Sequence, residues 1–101
     1  MIVVNATITS TEDDIAAMKE AIAIMETASR AEPGCHDYTF SIELNQPHVI
    51  RITEQWESMQ DLAEHFGLPH MAAFQAAMAA NPPKSVEAKF YEATEVSPPG
   101  S

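Results

Sequence analysis

The chain has 101 residues, 46% apolar and 7% aromatic, the scale of one small globular domain that removes about two thirds of its unfolded surface from water. Fifteen acidic against five basic residues give a formal net charge of -10, which argues against nucleic acid, membranes and polyanions as partners and favours a neutral or weakly acidic small molecule. The single cysteine, Cys35, rules out an internal disulfide and any cysteine-rich metal site. No apolar run reaches the length of a membrane span and Met1 to Ser10 lacks signal-peptide character, so a cytoplasmic location is expected.

Ile2, Val4, Ala6 and Ile8 alternate with Val3, Asn5 and Thr7, the period of a first strand. Ser10 and Thr11, each followed at three residues by an aspartate, predict a capped helix running to about Ala31 with Ile15, Met18, Ile22, Met25 and Ala28 as its apolar stripe. Pro33 and Gly34 then reverse the chain. His36 to Leu44 reads as a second strand and His48 to Trp56 as a third. A three-residue loop over Asn45, Gln46 and Pro47 would set Tyr38 opposite Glu54 and His36 opposite Trp56. That register puts Glu54 on an apolar face, where it needs a partner; Tyr38, His36 and His65 are the candidates.

Ser58 with Asp61 forms a capping box for a short helix to Phe66, closed by Gly67. Pro69 suits the first position of a helix to about Ala80. Ser85 to Val96 reads as the last strand, and residues 97–101 as a flexible tail after one domain over residues 1–96. The order strand, helix, strand, strand, helical segment, strand is the split βαββαβ arrangement of a ferredoxin-like α+β fold, with a four-stranded antiparallel sheet and helices on one face. The opposite face carries Val3, Asn5, Thr7, Thr39, Ser41, Arg51 and Thr53, and would face either water or a partner subunit; a two-fold dimer closing sheet on sheet would cover it.

No nucleotide-binding loop, nucleophile elbow or zinc signature is present. His65 and His70 are five apart across a glycine and a proline rather than at the i, i+4 spacing of paired helix ligands, so the spacing does not predict a metal site. Leu62, His65 and Phe66 fall on one side of the short helix, which turns an imidazole inward. Such a histidine is commonly a satisfied core residue; inside a desolvated pocket it can instead take a phenolic proton. Trp56 likewise reads as core filler or as a substrate platform, and the methionines as core or as adaptable walls.

Glu32-Pro33-Gly34-Cys35, Tyr38, the EQWES run from Glu54 to Ser58, His65, Pro69-His70-Met71 and Phe74 together resemble the antibiotic biosynthesis monooxygenase family, in particular its quinol monooxygenases. The resemblance implies a dimeric α/β barrel with a pocket between sheet and helices in each subunit. It also implies chemistry without metal, flavin or other cofactor, in which a small aromatic quinol or anthrone is deprotonated and reacts with dioxygen. On that resemblance His65 is the base, Asn5 or Trp56 orients the substrate oxygen, and Tyr38, Phe66, Met71 and Phe74 line the pocket. Haem-degrading relatives are less similar, because His65 and Gln75 stand where their tryptophan and haem-ligating histidine would fall. A noncatalytic dimeric ligand-binding module and an isomerase of the same superfamily are the alternatives.

Overall fold

The computed structural model describes residues 1–100; Ser101, the end of the predicted tail, lies outside the described residues. Four strands, β1 (Ile2–Thr9), β2 (Cys35–Glu43), β3 (Gln46–Trp56) and β4 (Ser85–Glu92), form one antiparallel sheet in the order β2-β3-β1-β4. Helices α1 (Glu12–Ala17), α2 (Lys19–Arg30), α3 (Met59–Phe66) and α4 (Pro69–Ala80) complete the ferredoxin-like arrangement. No helix among the described residues is long and apolar enough to cross a membrane.

The alternation in β1 builds the core as its period requires. Ile2, Val4, Ala6 and Ile8 are buried and meet Met18, Met25, Ile50, Ile52, Trp56, Leu62 and Phe74. The intervening residues face away, with Asn5 exposed.

Three expectations need correction. The helix predicted from Ser10 to Ala31 is two helices: the Met18 amide is shared between the Asp14 and Ile15 carbonyls, and its backbone, though still in the right-handed helical region, stands off the ideal helix angles at φ -93° and ψ 0°. Thr11 is the cap that acts, its hydroxyl accepting from the Asp14 amide. In the β2–β3 hairpin, Tyr38, Phe40 and Ile42 do face Glu54, Ile52 and Ile50, but both ends slip. Glu43 pairs with Gln46 across a turn at Leu44 and Asn45, and β3 bulges around Pro47, which has no amide to give the ladder. At the other end Cys35, not His36, lies opposite Trp56; the bulge turns His36 outward onto Glu57, 2.6 Å away and exposed. The last strand stops at Glu92 rather than Val96.

Candidate active site

Between the helical face of the sheet and α4 lies a cavity of about 270 Å³. Val4, Ala6, Ile8 and Ile52 floor it, Phe66, Met71, Phe74 and Met78 roof it, and Val86, Ala88 and Phe90 of β4 close one side. Phe66, Val86 and Phe90 are about half exposed and rim the mouth. Tyr38, Gln75 and Glu54 are the polar residues in the wall, and Glu54 is the one acid. A second hollow, of about 230 Å³ between α1, α2 and the hairpin end of the sheet, has Lys19 as its one charged side chain and no acid.

Glu54 sits on the buried face because β3 alternates Ile50, Ile52, Glu54, Trp56 inward. Its partner is none of the three foreseen: the Trp56 indole N–H donates to Oε1 at 3.0 Å. Burial pushes the carboxyl up to about 7; the indole bond opposes that rise and the nearby Glu32 charge adds to it. The same surroundings hold the Tyr38 phenol protonated, through burial first and then the Glu54 and Glu32 charges. Burial and those two acids push the Cys35 thiol up to about 11, so it is a protonated, unreactive filler rather than a nucleophile.

Behind the Tyr38 and Phe66 rings a second cluster forms. Glu32 Oε2 lies 2.6 Å from His65 Nδ1 and 2.6 Å from His70 Nε2. The side chains of Glu32, His65 and His70 are 8%, 1% and 15% exposed. His65 Nε2 is buried with no partner among the described residues, and the Trp56, Tyr38 and Phe66 rings lie with centroids 4.9, 5.3 and 5.8 Å from the imidazole.

Local chemistry explains how distant residues converge here. Gly34 turns the chain at φ +80°, and a Cβ there would collide with the Asp61 carboxylate. Glycine thus lets the loop press against the start of α3, where the Ser58 hydroxyl accepts from the Asp61 amide and donates to its carboxylate. The Gly34 carbonyl accepts from the Glu57 amide at 2.8 Å, fixing the loop that carries Glu32. Gly67 then ends α3 and Pro69 opens α4, so His65 and His70 emerge on the same side of the break.

The sequence profile described as antibiotic biosynthesis monooxygenase matches residues 1–77. The chain belongs to that family. A solved structure of a Deinococcus radiodurans protein described as a candidate antibiotic biosynthesis monooxygenase superposes with a TM-score of 0.89 at 26% identity, covering 97% of each chain. A Caulobacter crescentus protein with the same description gives 0.83 at 25%, covering 93% of this chain and 90% of its own. A Nitrosomonas europaea structure gives 0.87 at 20%, covering 94% of this chain and 100% of its own, a likeness of fold. No functionally curated protein matches the sequence.

In this antibiotic biosynthesis monooxygenase domain the residues singled out from sequence divide. Tyr38, Phe66, Met71 and Phe74 line the cavity. Trp56 is fully buried behind the wall and meets the cavity through Glu54. His65 stands in the layer behind Tyr38 and Phe66, tied to Glu32. Asn5 is on the other face: β1 pairs with β3 and β4 without a register shift, so no bulge turns it inward. Sequence reading missed Glu32 as a partner for both histidines and Glu54 as the cavity's acid, although the misplaced carboxylate in an apolar strand face was already visible.

Proposed function

We propose that this protein is a cofactor-independent monooxygenase that oxidises a small electron-rich aromatic, a quinol or anthrone, with dioxygen, and that it works as a homodimer closed over the sheet face bearing Asn5. The observation that carries the reading is one acid, Glu54, in an otherwise apolar cavity, where burial pushes its carboxyl up to about 7. A base poised there can take a substrate proton without a large uphill step. The proton acceptor in this reading is Glu54 rather than His65, and the Trp56 indole orients the carboxylate.

For an anthrone, loss of a ring-methylene proton to Glu54 gives an anion that passes one electron to dioxygen. The carbon radical and superoxide then join as a peroxide anion. Return of the proton gives a hydroperoxide, which loses water to leave a carbonyl, so one oxygen atom enters the quinone and the other leaves as water. Apolar walls favour delocalised anions over bulk-solvated ones and exclude water from the radical pair.

The test is oxygen uptake with reduced naphthoquinones, benzoquinones and anthrones, corrected for autoxidation. The rate should rise with pH through about 7, and Glu54→Gln should lower it roughly 100-fold or more. Loss in His65→Gln with Glu54→Gln unaffected would return the base to His65. Uptake no faster than autoxidation with every substrate would overturn the oxygenase reading.

A further inference from the structure

We propose that Glu32, His65 and His70 form a binding site for a divalent first-row transition-metal ion, independent of the oxygenase chemistry. The donor atoms are His65 Nδ1, His70 Nε2 and one Glu32 carboxylate oxygen, and all lie within 4.8 Å of one another. An ion with nitrogen and oxygen ligands at about 2.0–2.2 Å in tetrahedral array keeps its ligand atoms roughly 3.3 Å apart. The two nitrogen-to-oxygen distances of 2.6 Å would therefore open by less than about 1 Å. Two imidazoles and one carboxylate suit zinc, cobalt, nickel or ferrous iron better than magnesium or calcium. His70, the least buried of the three, leaves a side through which water can complete the coordination.

The tautomers supply the second argument. Without an ion, an imidazole in its neutral form that donates to the shared Glu32 oxygen turns its one N–H toward it. For His65 that leaves a lone pair on Nε2, buried with no donor and surrounded by aromatic rings. An unsatisfied buried acceptor is costly. An ion takes the lone pair at Nδ1 and sends the proton to Nε2, where an N–H is compatible with aromatic π electrons. The ion would join the loop between α2 and β2 to the end of α3 and the start of α4, one residue before the cavity residue Met71.

The experiment uses the full chain freed of metal by chelator and titrated with Co²⁺ by visible absorption and with Zn²⁺ by calorimetry. One ion per chain should bind with Kd on the order of 1 µM or tighter, and Co²⁺ should show four- or five-coordinate bands that Zn²⁺ erases. Affinity should fall roughly 100-fold or more in His70→Asn and Glu32→Gln, and stay unchanged in His36→Asn, which disrupts the exposed His36–Glu57 pair. If Glu32→Gln fails to fold, His70→Asn at the partly exposed position decides. Absence of binding at 100-fold the stated concentration, equal affinity in His70→Asn, or loss in His36→Asn would overturn the site and leave a hydrogen-bonded clamp.

Discussion

Glu32 and Glu54 are both buried acids on the same side of the sheet, and their surroundings are opposite. Glu32 lies between two imidazoles on one oxygen, whereas Glu54 has a single neutral donor, the Trp56 indole, and an apolar cavity. A carboxylate between two donors is held in place and ties three chain segments together. A carboxylate with one weak partner is left with a perturbed proton affinity, which is useful chemically and unfavourable for folding once it ionises.

The largest way to break the contrast is Glu32→Ala, which strands two imidazoles without their acceptor. It should cost roughly 2–5 kcal/mol, read by chemical denaturation; a loss under about 1 kcal/mol would mean the histidines re-pair. Next is the pH response of Glu54. Its folded pKa of about 7 lies above the ordinary value of 4.5, so between those values the folded chain holds a proton that the unfolded chain has released. Stability from this group is therefore intact below about 4.5 and lost as pH rises through about 7, by on the order of 3 kcal/mol. Glu54→Gln, whose amide oxygen can still accept from Trp56, should flatten that loss and leave the variant the more stable protein at pH 8. An unchanged pH profile would refute the assignment.

Gly34→Ala should cost more than about 1 kcal/mol, since it combines a positive φ with a collision at Asp61, and thermal unfolding would detect it. The smallest effect is that of Trp56→Phe on titration. Removing the indole donor takes away the interaction that lowers the Glu54 pKa, so its midpoint, followed by carboxyl NMR, should move upward; a downward move would mean that water replaces the indole with a better bond.

Much of the fold was legible because one face had to be apolar. The period-two pattern of β1 and the match of Tyr38, Phe40 and Ile42 to their partners follow from that demand alone. Ser58, Gly67 and Pro69 mark helix ends by backbone chemistry: α3 begins and ends, and α4 begins, where those residues require. The break at Met18 carries no proline or glycine, so nothing local announces it. The Glu32 cluster escaped for a different reason. Helix spacing describes residues on one helix, while His65 and His70 lie on two, and their shared acid is far away in sequence. The face of Asn5 was legible from the period of β1, and the unbroken pairing of β1 with its neighbours keeps it there, away from the cavity.

The cavity owes one of its walls to β4, a strand hydrogen-bonded to the sheet along one edge only and exposed along its whole length. Val86, Ala88 and Phe90 are therefore the cavity residues resting on the least-supported backbone. In the isolated chain, outer parts of the sheet open by local fluctuation at lower free energy than its centre. Amide exchange should consequently be faster along β4 than in β1 or the middle of β3. A bound ligand touching all three walls would slow β4 most, making that strand the reporter of occupancy even though the residues it gives the cavity include no acid, base or indole.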